Sequence, residues 1–231
     1  MLWVVTGASS GIGLELSRLL CLKGFRVVGV ARGRERLEGV GSELGNCFDY
    51  IVADLSTIDG VRRVVESVKS FRPIDTLVNN AGFGLYKTVL EHSAENVASM
   101  AMTNFVTPIV LVKELLPYMK KGSAVVMVIT AGIHVVMREL PIYGATKIAL
   151  HYASKALRKE LGEKGIHLVE VYPGLINTEF HEKAGKRISR GTPPTKVAET
   201  IIKAVEKKKK VVYIPKYLAL LRLIGPHLPL I

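Results

Sequence analysis

Residues 2–13 read LWVVTGASSGIG, a short apolar run that leads into three closely spaced glycines. The apolar run is typical of a buried strand, and the paired serines can cap a helix that begins at Gly11. Gly7 permits a tight turn, while Gly11 and Gly13 let the new helix pack closely against the sheet. The stretch therefore predicts a strand, a glycine turn and a helix.

The rest of the chain repeats this alternation of apolar strands and amphipathic helices, which predicts βαβ units and a parallel sheet. We expect a single α/β domain over residues 1–231, a doubly wound (Rossmann) sheet with helices on both faces and strand order 3-2-1-4-5-6-7. The predicted strands are 2–5, 26–31, 48–53, 75–79, 124–130, 167–172 and 211–214, and the main predicted helices are 11–24, 35–44, 58–71, 93–121, 142–164 and 196–207.

Composition limits the class of protein. The 231 residues are 48% hydrophobic and 23% charged, which suits a large core and excludes a disordered chain. We find neither a signal peptide nor an apolar run long enough to span a bilayer. Cys21 and Cys47 lack metal-ligand spacing and form no disulfide framework, so we expect a reduced, cytoplasmic protein.

The net charge of +12 is concentrated near the end of the sequence. From Lys183 onward there are twelve basic and two acidic residues, an excess of ten. A solvated face explains this, and so does attraction of an anionic substrate, cofactor or membrane surface. Because no recognition motif or aromatic stacking pattern accompanies the charge, we expect no nucleic-acid partner.

The glycine turn has the features of a phosphate site. A helix that begins after such a turn offers free N–H groups and a favourable dipole to an anion. The second strand ends in Arg32, without the carboxylate that would bind the ribose 2′-hydroxyl of NAD. A guanidinium suits a 2′-phosphate, and Arg34 and Arg36 add positive potential. We therefore favour NADP(H) over NAD(H); the alternatives are a turn without ligand and an ordinary loop arginine.

Tyr143 and Lys147 are four residues apart in the long predicted helix, so their side chains share one face. A cation near a phenol favours the phenolate and lowers the pKa of the phenol. Tyr143 is therefore a candidate proton donor and acceptor near neutral pH. The alternative is a helix surface on which both side chains reach toward solvent.

In their order along the chain, the motifs resemble those of the short-chain dehydrogenase/reductase family in its compact form. The resemblance extends from Thr6 to Thr178 and rests on Thr6-Gly7-x-x-x-Gly11-x-Gly13, Asp54-Leu55, Asn79-Asn80-Ala81-Gly82, Asn104, Tyr143-x-x-x-Lys147, and Pro173-Gly174 with Thr178. It implies an enzyme that transfers a hydride between nicotinamide and a small-molecule carbonyl or secondary alcohol.

The resemblance also implies individual roles. Tyr143 would protonate the carbonyl oxygen, Lys147 would hold the nicotinamide ribose and keep Tyr143 acidic, and Asn104 would hold a water in the proton relay. Asn79 would help to line the central portion of the cofactor and stabilise the sheet. The implied cofactor-binding residues are Gly7, Ser9, Ser10, Gly11, Ile12, Gly13, Arg32, Asp54, Leu55, Asn80, Ala81, Gly82, Tyr143, Lys147, Pro173, Gly174, Ile176 and Thr178.

Thr130 stands where the family usually has a serine, at the predicted end of the fifth strand and thirteen residues before Tyr143. Its hydroxyl can still polarise a carbonyl, although its methyl group restricts the rotamer. Two other interpretations stay open: the register is shifted, or the hydroxyl is only structural. We keep Thr130 as a catalytic candidate, and the histidine spacings predict no metal site.

Two segments bear on substrate and partners. Residues 179–195 have the composition of a mobile lid, and we hypothesise that Phe180 and Ile188 cover an apolar substrate; the alternative is a disordered surface loop. The tail, about 207–231, is basic and then apolar, which suits either a neighbouring subunit or a membrane surface. We favour subunit packing, in a homodimer or homotetramer as is usual in the family.

The leading functional prediction is thus an NADP(H)-dependent oxidoreductase. The alternative is a non-catalytic dinucleotide-binding scaffold or sensor, against which the intact Asn104, Tyr143 and Lys147 argue. An epimerase or dehydratase of the related longer family suits neither this length nor this glycine spacing.

Overall fold

A computed structural model describes residues 1–188 and 190–224. In this part of the chain one parallel sheet has the order β3-β2-β1-β4-β5-β6-β7, which confirms the predicted topology. The strands are β1 Leu2–Thr6, β2 Arg26–Ala31, β3 Phe48–Val52, β4 Ile74–Asn79, β5 Met119–Val128, β6 His167–Pro173 and β7 Val211–Ile214.

Helices cover both faces of the sheet. One core lies between the sheet and the helices that begin at Ile58, Thr107 and Pro141, and the other between the sheet and the helices that begin at Gly11, Arg34 and Pro194. In β1, Leu2 and Val4 face the first core, while Trp3 and Val5 face the second, as the two-residue period of a strand requires. The helices are α1 Gly11–Leu22, α2 Arg34–Leu44, α3 Ile58–Val68, α4 Ala94–Ala101, α5 Thr107–Leu115, α6 Pro141–Glu163, α7 Glu179–Lys183, α8 Pro194–Glu206 and α9 Leu221–Ile224.

The predicted helix 93–121 was wrong in its details. A π-helical turn, Met102–Val106, separates α4 from α5, and β5 begins at Met119. The first residues of β5 pair at the edge of the core, where Met119 aligns with Ile74 and the hydroxyl of Ser123 donates to the Ile74 carbonyl at 2.9 Å. Periodicity could not find this pairing because the contact is distant in sequence.

The stretch Ala94–Tyr118 is long and apolar enough to cross a membrane by length and composition alone. Within the fold, however, Met100, Leu111 and Leu115 on its inner side are fully buried. A helix of the sheet's covering layer gives the same pattern, so the apolar character is explained by the core.

The cysteine prediction is contradicted. Cys21, near the end of α1, and Cys47, in the short turn before β3, form a disulfide with their Cα atoms 5.6 Å apart. The pair is 26 residues apart in sequence, and only the packing of α1 beside the end of α2 brings the two thiols together.

Two further segments contain short helical elements that were not predicted. The predicted lid contains the short helix α7, and the isolated pairing of Ile176 with Thr192 fastens its two ends together. After β7 the chain forms a 3₁₀ turn, Lys216–Leu220, followed by α9. Ser189 of the lid and residues 225–231 of the tail lie outside the described residues.

Candidate active site

The glycine turn connects β1 to α1 at the carboxyl edge of the sheet. Gly7 (φ 71°) and Gly11 (φ 53°) adopt left-handed conformations that favour glycine. A Cβ on Gly13 would lie 2.2 Å from the Gly7 carbonyl oxygen, so only glycine lets α1 begin this close to the turn. Ser10 is the N-cap residue of α1, but its side chain makes no capping hydrogen bond, contrary to expectation. The hydroxyls of Ser9 and Ser10 are thus not committed to capping α1.

Thr6 joins the turn to the end of β4. Its hydroxyl oxygen accepts from the N–H groups of Asn80 (2.9 Å) and Ala81 (3.0 Å), and the hydroxyl donates to the Val78 carbonyl at 3.2 Å. The Asn80 side-chain amide donates to the Thr6 carbonyl at 2.9 Å. Asn79 is buried, with its amide against the Met127 sulfur. The residues predicted after the first and fourth strands therefore form one structural unit.

Tyr143 lies in the first turn of α6, and Lys147 lies one turn later on the same face. The Lys147 ammonium is 5.8 Å from the centre of the Tyr143 ring and donates to the Val128 carbonyl at 2.9 Å. Lys147 is 97% buried, and this burial lowers its pKa to about 8. The structure thus places a phenol and a desolvated amine side by side, as the spacing predicted.

The expected lowering of the Tyr143 pKa is not present. Burial raises the pKa of Tyr143 well above its usual range, and the nearby Thr130 hydroxyl opposes this only in part. The Lys147 ammonium points to the Val128 carbonyl, so it does not offset the desolvation. In this arrangement Tyr143 is a protonated phenol at neutral pH, which suits a proton donor.

Thr130 lies two residues beyond the end of β5, not at its end as predicted. Its hydroxyl donates to the Pro173 carbonyl at 3.3 Å and accepts from the Gly132 N–H at 3.2 Å, which caps the turn Ala131–His134. It also interacts with the Tyr143 phenol. The hydroxyl therefore has the structural role that was one of the open interpretations, and it also lies near Tyr143; its catalytic role stays a prediction.

Asn104 lies in the π-helical turn and is fully buried. Its side-chain oxygen accepts from the Phe83 N–H at 3.0 Å, and its amide donates to the Phe83 carbonyl (2.9 Å) and to Thr146 (3.0 Å). Both amide hydrogens are thus used within the protein. The side chain holds the segment after β4 against α6, whereas the predicted role was to hold a water. A π-helical turn at such a site is a frequent functional feature.

The segment after β4 passes close to the catalytic candidates. A Cβ on Gly82 would lie 3.0 Å from the Asn104 side-chain oxygen and 3.3 Å from the Lys147 ammonium. A Cβ on Gly84 would lie 3.3 Å from Cβ of Tyr143 and 3.1 Å from the Phe180 ring. Both glycines therefore keep the backbone next to α6 and leave room beside the phenol.

Phe180 covers one side of this site. Its ring lies on α7 with its centre 5.3 Å from that of Tyr143. The adjacent His181 is buried and hydrogen-bonds to the Tyr86 hydroxyl at 2.8 Å, which fixes α7 to the segment after β4. Burial raises the pKa of Tyr86 and lowers that of His181, so both groups are neutral here.

The part of the predicted site that would hold the adenine is more exposed to solvent than the part around Tyr143. Arg32 is exposed at the end of β2, and its charge contributes to the lowered pKa of Asp54. The larger cause is the hydrogen bond from the Ser56 N–H to the Asp54 carboxylate, at 2.9 Å. Leu55 is a core residue whose carbonyl accepts from Thr107 at 2.8 Å. Of these residues, Arg32 and Asp54 are accessible to a ligand.

The segment after β6 closes over the glycine turn. Pro173 ends β6, and the Gly174 N–H donates to the Ile214 carbonyl at 2.8 Å. Ile176 is buried, and Thr178 caps α7. A Cβ on Gly11 would lie 3.1 Å from the Thr178 methyl group, so this clasp touches the turn directly.

A pocket of about 520 Å³ lies where the clasp, α1 and α7 meet. Its lining includes Gly11, Thr178, Glu182, Arg187 and Ile188. Ile188 therefore faces this pocket, while Phe180 faces Tyr143. The two residues that we expected to cover one substrate lie on different sides of α7.

Sequence reasoning missed three features of the site: Gly84, the Tyr86–His181 hydrogen bond, and the ion pair between Arg36 and Glu179. Gly84 follows Gly82 by two residues, and that spacing was a usable signal. The other two join residues 95 and 143 positions apart, and no local pattern marks them. Within the described residues, no cluster of His, Cys, Asp and Glu could hold a metal ion.

The architecture and the order of these residues can be compared with known proteins. A family model described as short chain dehydrogenase matches residues 2–189. The chain belongs to the short-chain dehydrogenase family. It is therefore an oxidoreductase with a Rossmann-type fold.

Individual relatives agree with this assignment. The serine 3-dehydrogenase of Agrobacterium fabrum is 31% identical over 201 residues, which cover 83% of this chain and 81% of the relative. A short-chain dehydrogenase from Sphingobium yanoikuyae in complex with NADPH superposes with a TM-score of 0.88 at 24% identity, covering 95% of this chain and 89% of the other. The closed form of a serine dehydrogenase complexed with NADP⁺ gives 0.80 at 27% identity, covering 88% of each chain.

Proposed function

We propose that this short-chain dehydrogenase uses NADP(H) to interconvert a carbonyl compound and a secondary alcohol, with Tyr143 as the general acid and base. The observation that carries the proposal is the meeting of Tyr143, Lys147 and Thr130 beside the glycine turn and the Pro173–Gly174 clasp. When bound, the cofactor supplies or accepts the hydride. The chain itself has to bind the cofactor and the substrate, orient them, and exchange a proton with the substrate.

The residues present fit a dinucleotide. The left-handed turn at Gly7 and Gly11 leads into the N-terminus of α1, whose first N–H groups suit a pyrophosphate. Arg32 is exposed at the position where NAD enzymes carry a carboxylate, and its guanidinium would hold a 2′-phosphate. The NADP(H)-bound relatives support the same choice.

The proton chemistry follows from the environment of Tyr143. Because burial keeps the phenol protonated, it can donate to a carbonyl oxygen during reduction. Thr130 faces the same phenol and can donate a second hydrogen bond to that oxygen after exchanging its bond to Pro173. To hold the ribose and favour the phenolate during alcohol oxidation, the Lys147 ammonium would have to turn from the Val128 carbonyl toward the ribose and the phenol.

The surroundings favour an apolar substrate. Phe180 and Leu140 both approach the position of Gly84, next to Tyr143. Neighbouring polar groups are already paired, since Tyr86 bonds to His181, and Glu139 pairs with Lys186. A ketone or aldehyde with an apolar substituent would leave none of these groups unpaired.

Assembly and location are part of the proposal. The side chains of Val97 on α4 and of Ile148 and Tyr152 on α6 are exposed. These residues support a homodimer or homotetramer that forms through the two helices. We keep the cytoplasm as the proposed location, although the disulfide is unusual for a reducing compartment outside hyperthermophiles.

A cofactor comparison tests the proposal. The purified protein should oxidise NADPH with at least one member of a panel of apolar ketones and aldehydes, and should use NADH less well. Arg32→Ala should remove most of the preference for NADPH, because it deletes the guanidinium and leaves the glycine turn intact. Arg62→Ala, an exposed arginine on α3, is the matched control. NADPH binding without turnover on any substrate would support the scaffold alternative.

A further inference from the structure

The segment after β7 presents an apolar face that the proposed function does not use. It comprises the 3₁₀ turn Lys216–Leu220 and helix α9. Tyr217 is 68% exposed, Leu220 59% and Leu223 73%. These residues are three apart, and residues at that spacing lie on one side of a 3₁₀ or α-helical segment. We call Tyr217, Leu220 and Leu223 the outer face.

The opposite side of the same segment is fixed to the protein's own core. Leu218, Ala219 and Leu221 pack against the core formed with α5 and α6. Leu218 touches Gly174, where a Cβ would lie 2.5 Å from its methyl group. The segment is therefore a formed element, and its outer face is not a result of poor packing.

Both charged side chains of the segment itself are positive. Lys216 and Arg222 are exposed within the segment, and no aspartate or glutamate follows Glu206 in the sequence. The Arg222 guanidinium lies 5.6 Å from the centre of the Tyr213 ring, so its position is fixed relative to β7. Lys207–Lys210 lie at the other end of β7 and add long-range attraction for anions.

We propose that the outer face docks on an anionic lipid surface. Tyr217, Leu220 and Leu223 would enter the interface between headgroups and acyl chains, while Lys216 and Arg222 would meet lipid phosphates. Two copies of this chain meeting face to face through a twofold axis would bring like charges together with no acidic residue in the segment to neutralise them. This charge pattern reverses our sequence-based preference for subunit packing.

Docking through the outer face would bring the candidate active site close to the lipid surface. Because Leu218 lies on Gly174, the docked surface would be at the carboxyl edge of the sheet, the edge that also carries Tyr143. An apolar substrate dissolved in the bilayer would then be close to the site. The docking itself does not depend on the proposed reaction.

Co-sedimentation with vesicles tests the inference on the full chain. We expect binding to mixed phosphatidylcholine and phosphatidylglycerol vesicles to be at least about tenfold stronger than to phosphatidylcholine alone, and to weaken with salt. The double substitution Leu220→Glu and Leu223→Glu should reduce binding by about tenfold or more. Leu90→Glu, at a 97% exposed leucine on the separate turn Val89–Glu91, should bind like the unchanged protein.

Three outcomes would overturn the inference. The first is equal vesicle binding by the double variant and the unchanged protein, and the second is no vesicle binding by the unchanged protein. The third is a dimer in gel filtration that the double substitution dissociates without any vesicle binding, which would assign the face to a second copy. Melting temperature and turnover of a water-soluble ketone without vesicles show whether the variants are folded. Docking and catalysis can therefore fail separately.

Discussion

At the scale of single residues, Thr130 has two roles in the proposed site. Its hydroxyl caps the turn Ala131–His134 through the Gly132 N–H, and it also faces Tyr143. A serine could do both, and would remove the methyl group that limits the rotamer. A valine of similar shape could do neither.

Substitutions at Thr130 should therefore distinguish how the shape of the side chain and how its hydrogen bonds affect turnover. We expect Thr130→Ser to keep kcat within a few-fold, and Thr130→Val to lower kcat by roughly 10²–10³, the usual effect of losing one hydrogen bond to a developing oxyanion. The measurement is steady-state NADPH oxidation, with NADPH affinity measured separately. Full turnover by the valine variant would make the hydroxyl only structural.

At the scale of elements, alternating apolar patterns were sufficient for most of the sheet. Strands β2 and β7 have the predicted bounds, because each is a short buried run between clear stop signals. The helix predicted over 93–121 was wrong at its end because the pairing of β5 with β4 overrides the local helical preference around Lys120 and Lys121. The π-helical turn has no distinct period in the sequence, so it could not be predicted.

The site was predictable to the extent that its residues follow strand ends. Tyr143 and Lys147 lie together as their spacing implied, and the glycine turn joins β1 to α1 as predicted. The raised pKa of Tyr143 was not foreseen, because burial depends on how Phe180 and Gly84 close around the ring. Contacts made across the fold by α7 could likewise be found only in the structure.

One such contact joins two parts of the proposed cofactor site. The Arg36 guanidinium donates to the Glu179 carboxylate at 2.6 Å, which fastens the start of α2 to the start of α7. We expect the 2′-phosphate of NADPH to compete with Glu179 for Arg36, since both are anions that suit a guanidinium. The pair is about half exposed, so its effect on affinity should be small.

Glu179→Gln should thus tighten NADPH binding by roughly two- to fivefold, in line with an exposed ion pair, and leave NADH binding unchanged. Titration of both cofactors by fluorescence measures this. Glu199→Gln, on α8 and paired with Lys203, is the control because Glu199 is as exposed as Glu179, and it should change neither affinity. An equal shift for NADPH and NADH would contradict competition by the 2′-phosphate.

At the scale of the whole molecule, the disulfide holds two separate elements of the fold together. It connects α1, which begins at the glycine turn, to the turn before β3. Closing a segment of this length by a disulfide usually contributes about 3 kcal/mol. The cross-link therefore stabilises the half of the sheet that would hold the adenine end of the cofactor.

Reduction should lower the melting temperature by roughly 6–12 °C for a chain of this size. Calorimetry with and without dithiothreitol measures the change. Cys47→Ser should melt at the temperature of the reduced protein and show no response to reductant. If the unchanged protein melts identically in both conditions, the cysteines do not form a stabilising cross-link in solution.

The central claim concerns the whole site, since the glycine turn, the clasp and α6 must act together for Tyr143 to exchange a proton. The most direct test is Tyr143→Phe, which removes only the phenol oxygen and keeps the ring against Phe180. We predict that NADPH binding and melting temperature are retained while ketone-dependent NADPH oxidation falls by at least about 10²-fold, the range expected for a lost general acid. Full turnover by the phenylalanine variant would contradict the account.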